Sequence, residues 1–256
     1  MRSFIKQIVN FFLKFVNLEV SRKLSFKKIS FDEIHLILNN NKKNNIIFDV
    51  GASTGQSIDR FKNLFKNSEI HSFEPIKEDF SILSKKYGDD DKIKLNNFAL
   101  GEKKEHKTLY INAKSDCSSF YKVNKNSEWL KIRSEKLKIL PENFTVRTQE
   151  TPVTTIDDYV KLNNIDHIDI LKIDTQGSED KVLEGAKESL KRNIIKNIET
   201  EICFSDQYER RHSFYEIEKH LFINNYRLYG IRNDGFRNLA EGFIFFMDVI
   251  YTCEEI

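Results

Sequence analysis

The chain is poor in cysteine and histidine. Its 256 residues include three cysteines, Cys117, Cys203 and Cys253, far apart and without a C-x-x-C. Neither a disulfide framework nor a zinc site fits that spacing, and the expectation is a reducing, cytosolic setting. The six histidines show no H-E-x-x-H and no tight cluster, so no metal is expected. Charge of one sign is also lacking: 41 Lys and Arg against 39 Asp and Glu leave a net +2, which gives no global nucleic-acid signature. Long apolar runs are missing as well. Residues 3 to 20 are dense in Phe, Ile, Leu and Val, but Lys6 and Lys14 interrupt them and no A-x-A-like cleavage site follows. Neither a secretion signal nor a membrane span fits. The stretch reads instead as an amphipathic helix with a broad oily face. It would pack on the rest of the chain or on a second subunit, or lie on an anionic membrane surface.

What is present is an alternation of strands and helices. Ser30-Phe31-Asp32-Glu33 has the capping-box form and predicts a helix over 31 to 39. An N-terminal helical extension is expected over 1 to 40, and one α/β domain over 41 to 256. Strands are expected at 46–50, 69–74, 93–98, 107–112, 168–173 and 195–203, with helices at 55–66, 77–87, 155–162, 178–191 and 213–224. Strands at 226–232 and 243–252 flank Asn233-Asp234-Gly235 and predict a terminal antiparallel hairpin. Residues 113 to 150 are polar and without clear period, which predicts a long irregular excursion suited to a substrate lid.

Two joints carry the chemistry. Ile46 to Val50 runs into Gly51-Ala52-Ser53-Thr54-Gly55, and Ile168 to Ile173 into Asp174-Thr175-Gln176-Gly177-Ser178-Glu179. Each takes an apolar strand into a glycine turn with an acidic residue beside it, which is how parallel sheets present carboxylates and N–H groups to a ligand. Gly51 and Gly55 lack the third glycine of a dinucleotide fingerprint, so the loop suits a cofactor without a pyrophosphate. Glu74, at the end of the next strand and before Pro75, is placed to accept two ribose hydroxyls, or else to cap the following helix.

Together, Phe48 to Gly55, Phe73-Glu74-Pro75, Asn97 to Gly101, Thr155 to Tyr159 and Leu171 to Glu179 resemble the FkbM-type methyltransferases. The resemblance covers roughly residues 46 to 203. It departs at Ser53, where the family often carries Asn, and in the length of the 113–150 excursion. It implies a class I (Rossmann-like) fold with a seven-stranded, mostly parallel sheet, and O-methylation of a hydroxyl by S-adenosylmethionine, commonly on a sugar or polyketide-type product. By the same resemblance Asp49, Gly51, Ser53 and Gly55 would cradle the methionine part, Glu74 the ribose, and Asn97 with Ala99 the adenine edge. Asp174 would stand beside the sulfonium.

Proton removal from the acceptor falls to Asp174, Glu201 or Glu179. Ser118 and Ser119 could touch the acceptor, and Arg210-Arg211-His212 could meet a phosphate or be a solvated basic turn. The acceptor is expected to be a small molecule or glycan, with contact to the inner membrane face or to a second copy through the N-terminal helix. A nicotinamide oxidoreductase and a non-catalytic adaptor on the same fold are the competing readings.

Overall fold

The computed structural model describes residues 29–39, 44–210, 213–232 and 245–254. The amphipathic helix expected at 3 to 20, the 233–235 turn, Arg211 and His212 lie outside the described residues. The chain divides into two compact units, Met1–Ser30 and Phe31–Ile256, and the architecture below belongs to the second. Helix α1, Phe31–Leu38, thus lies in the second unit. Its residues Phe31, Ile34 and Leu38 recur at helical spacing and bury themselves against Ile250.

A seven-stranded sheet organises the unit. Its strands are β1 (Ile46–Val50), β2 (Glu69–Phe73), β3 (Ile93–Asn96), β7 (Ile168–Ile173), β8 (Ile195–Cys203), β9 (Arg227–Arg232) and β10 (Phe246–Thr252), in the order β3-β2-β1-β7-β8-β10-β9. The first five are parallel, while β10 runs antiparallel to both β8 and β9, so the expected terminal hairpin is present. From β1 the chain first steps outward to β2 and β3, then returns to β7 on the other side of β1. This reversal leaves a crevice beyond the carboxyl ends of β1 and β7, where the two glycine joints lie.

Alternation along β1 feeds two cores. Phe48 and Val50 join Leu171, Ile173, Ile198 and Val249 on one face of the sheet. Ile47 joins Ile58 and Phe61 of helix α2 (Gln56–Leu64) and Leu83 of helix α3 (Lys77–Tyr87) on the other. The second face does not stay apolar across the sheet. At β7, β8 and β10 it carries Lys172, Glu199, Glu201 and Asp248.

Two expectations are corrected. The stretch 113 to 150 is not irregular: it holds a 3-10 turn at Ser115–Cys117, helix α4 at Glu128–Leu137, a 3-10 turn at Pro141–Asn143 and the start of β6, Thr145–Thr154. Trp129, Leu130 and Phe144 give it a core, with Trp129 edge-on to Phe144 at 5.5 Å. Strand β6 joins β4 (Ala99–Leu100) and β5 (Glu105–Asn112) in a second, three-stranded sheet of order β4-β6-β5. The helix expected over 178 to 191 is broken into α6, Glu179–Glu184, and α7, Lys187–Lys191, after α5 at Ile156–Leu162. At the break a Cβ on Gly185 would stand 1.9 Å from the Gly101 carbonyl oxygen. The helix turns where it meets that backbone. Helix α8, Phe214–Leu221, runs on into a 3-10 turn at Phe222–Asn224.

Candidate active site

The first joint is held by its own backbone and by one carboxyl group. Gly51 has φ 85°, donates its N–H to Phe73 O at 3.0 Å, and passes so close to β7 that a Cβ would stand 2.0 Å from Asp174 O. Only glycine fits there. Gly55, also left-handed, caps the start of α2 against Tyr87, whose hydroxyl donates to Gly55 O at 3.0 Å. Ser53, with φ 50°, donates its N–H to Glu74 Oε2 at 2.8 Å, and Ile76 donates its N–H to Glu74 Oε1 at 2.8 Å. Glu74 thus ties the β1 loop to the β2 end. Burial pushes its carboxyl up to about 8, opposed only by those two amides.

Above these joints lies a cavity of about 660 Å³. Phe73, Ile76, Leu100, Leu109 and Phe120 give it apolar walls, and Gly51, Ser53 and Ala99 contribute backbone. Its carboxylates are Glu74, Asp79, Asp116 and Asp174. Among the residues implied by the resemblance, Gly51, Ser53, Glu74, Ala99 and Asp174 meet here. Three do not. Asp49 is fully buried under the loop, 3.6 Å from Lys172 Nζ. Gly55 lies behind the cavity against Tyr87. Asn97 donates its side-chain N–H to Glu74 O at 2.8 Å and to Pro75 O at 3.3 Å, so it braces the strand end instead of lining the cavity. Ser118 lines the cavity, while Ser119 donates its hydroxyl to Gln176 O at 2.7 Å and supports the second joint.

That second joint is a clamp. Asp174 N–H donates to Val50 O at 2.9 Å, locking β7 to β1. Glu179 is buried and accepts N–H bonds from Thr175 at 2.9 Å and Gly177 at 3.0 Å, so it shapes the loop from below. Gln176 is a residue to which the sequence assigned no role. It sits at φ 56°, and its amide Nε2 donates to Asp174 Oδ1 at 2.9 Å and to Glu201 Oε2 at 3.2 Å, while its Oε1 accepts from Tyr208 at 3.2 Å. Burial and the charge of Asp174 push the Glu201 carboxyl well above the ordinary range. Arg210, expected near a phosphate or in a solvated turn, is instead paired with Asp180 at 2.8 and 2.5 Å and bound to Gly177 O at 3.0 Å.

A second cavity of about 560 Å³ meets the first at Asp174, which lines both. It is lined by charge: Arg60, Lys172, Glu199, Glu201, Arg232 and Asp248. Burial opposes the charge of Lys172, but Asp174 at 3.5 Å and Asp49 outweigh it and hold the ammonium. The signal for Lys172 was in the sequence: a lysine inside an apolar strand, next to the loop. Among the described residues no group of three or more His, Cys, Asp or Glu is arranged to hold a metal ion.

The sequence profile of the methyltransferase FkbM domain matches residues 49–228. No curated protein matches the chain. Among solved structures it is similar to precorrin-6y C5,15-methyltransferase from Geobacter metallireducens GS-15, at 10% identity over 91% of this chain and 93% of that one, with a TM-score of 0.42. It is also similar to a fibrillarin pre-rRNA processing protein of Methanococcus jannaschii, at 10% identity over 82% of this chain and 67% of that one, with a TM-score of 0.46. Aeropyrum pernix fibrillarin in complex with natively bound S-adenosyl-L-methionine matches at 11% identity over 85% of this chain and 72% of that one, with a TM-score of 0.42. At that similarity the fold assignment stands on the strand order of the chain itself.

Proposed function

The chain belongs to the FkbM family of S-adenosylmethionine-dependent methyltransferases, and we propose that it methylates a hydroxyl of a sugar, in a surface glycan or its nucleotide- or lipid-linked precursor. The residues present fit the cofactor. Gly51, at φ 85°, lets the β1 loop turn tightly against β7 at the cavity's edge, and the apolar walls suit a base. Each Glu74 oxygen accepts one amide and so keeps a lone pair for a ribose hydroxyl. When bound, S-adenosylmethionine supplies a methyl already activated on a sulfonium.

The protein's own task is to position the acceptor and take its proton. The observation that carries the reading is the pair of cavities joined at Asp174, one apolar-walled, the other lined with charges of both signs. Polyhydroxylated acceptors suit the second cavity, since carboxylates accept from hydroxyls and Arg60, Lys172 and Arg232 donate to them. Gln176 holds Asp174 and Glu201 together at the junction. Glu201, whose surroundings raise its proton affinity, is the base in this reading, and Asp174 is the carboxylate beside the reacting centre. Glu179 is committed to the loop amides and acts as a positioning residue.

No described helix is long and apolar enough to cross a membrane. In this reading the enzyme is cytoplasmic, and residues 1 to 20 bring it to the inner membrane face or to a second copy. A variant without those residues should lose retention on washed membranes.

The test is calorimetric titration with S-adenosylmethionine and S-adenosylhomocysteine, NAD serving as control, followed by transfer of labelled methyl to nucleotide sugars and glycans. Label in an O-methyl sugar supports the reading. Binding without transfer to any acceptor points to an adaptor, and label found only in RNA or amines overturns the hydroxyl assignment.

A further inference from the structure

We propose that Asp79 recognises the 6-amino group of the cofactor's adenine and thereby sets which nucleoside the first cavity accepts. The proposal rests on the cofactor assignment above and goes beyond it to a residue with no prior role. Asp79 lies in the first turn of α3, three residues after Ile76 and on the same side of the helix, and both line the cavity. It is 6% exposed, and its Oδ2 is buried with no hydrogen-bond partner. A buried acceptor without a donor is costly in an empty protein and is relieved by a ligand that brings one. Burial pushes the Asp79 carboxyl up, against a hydrogen bond from Ser115, so a donor arriving at Oδ2 would favour the charged form.

The other candidates at this cavity are committed elsewhere. Asn97, the residue implied for the adenine edge, is held by Glu74 O and Pro75 O. Asp116 pairs with Lys114 at 2.6 Å and accepts from Cys117 Sγ at 3.3 Å. Glu74 accepts the Ser53 and Ile76 amides, and its remaining lone pairs are assigned to the ribose. Ile76, Leu109 and Phe120 supply flat apolar contact for a base, and beside them Asp79 Oδ2 is a buried acceptor without a donor. A 6-amino base turns an N–H toward such an oxygen, whereas a 6-oxo base turns an acceptor toward it and is repelled.

The experiment is calorimetric titration of the full-length protein with S-adenosylhomocysteine and with its 6-oxo analogue, S-inosylhomocysteine. Wild type should prefer the amino ligand by about tenfold or more. In Asp79→Asn, whose amide both donates and accepts, the preference should shrink to within about threefold, chiefly through tighter binding of the oxo ligand. Asp79→Ser serves the same purpose should Asp79→Asn fail to fold. An unchanged preference, or equal weakening of both ligands, overturns the proposal. Wild type that binds neither ligand overturns the cofactor assignment, and this inference with it.

Discussion

Glu74, just past the end of β2, and Glu199, on β8 of the same sheet, are the same residue type, 4% and 3% exposed, and their surroundings drive them in opposite directions. Burial would raise both. At Glu199 that is outweighed by His35 Nε2 at 2.5 Å and by the Arg60 guanidinium, which donates to both oxygens at 2.7 and 3.0 Å, so the carboxyl is held far below the ordinary range. At Glu74 no cation intervenes: two neutral amides are its partners, and it is pushed up to about 8. The difference separates scaffold from site. A buried acid that ties elements together is matched with cations, whereas one that waits for a ligand keeps acceptor capacity open to a cavity.

The harshest way to break the contrast is to take away the cation. Arg60→Met should lower unfolding free energy by about 3 kcal/mol in urea denaturation, since it strands a buried carboxylate; Arg60 is itself 22% exposed, which keeps the loss near the low end. A cost near zero would mean that the guanidinium does not determine the state of Glu199. Next, Glu74→Gln should weaken S-adenosylhomocysteine by about 1–3 kcal/mol at pH 9 while leaving the melting temperature equal or higher. A lower melting temperature with unchanged affinity would reverse the roles assigned to the two acids.

The gentlest probe is pH. The folded pKa of Glu74 lies above its ordinary value of 4.5, so its stabilising contribution is complete below that value and is lost as pH rises through about 8. Ligand affinity should rise over the same window, by about tenfold or less, as the carboxylate becomes able to accept two hydroxyls. Glu74→Gln should flatten both curves. Glu199, with its folded pKa depressed, contributes stability above about pH 4.5 and loses it as pH falls, so acid denaturation reports on the other member of the pair.

The parallel core of the sheet was legible because Ile46 to Val50 and Ile168 to Ile173 are short apolar runs ending in glycine turns, and Glu74 because a proline stops its strand. Strand β6 was not legible. Along Thr145–Thr154 the inward positions include Gln149 and Thr151, so no period-two apolar pattern marks it. Helix α4 is likewise half Lys, Glu and Arg, and its apolar burial rests on Trp129 and Leu130. At the site, the positions of Gly51 and Asp174 followed from local turns. Asn97 lies in a loop near the cavity, but its amide donates to the neighbouring backbone, a partner that local spacing does not reveal. Gln176 and Asp79 depend on which long-range neighbours they meet, and that is not written in local spacing.

The register of Val50 against Ile173 has a consequence in time. β1 finds one neighbour about twenty residues on and the other more than a hundred and twenty on, so the crevice closes only through a contact of high sequence separation. During synthesis at ~5–20 residues per second, the 100 residues from Glu74 to Asp174 take roughly 5–20 s. Throughout that interval β1 has an unpaired edge and Gly51 has no opposing strand. A nascent chain that stops short of Ile173 has half a pocket, and ligand cannot help it fold.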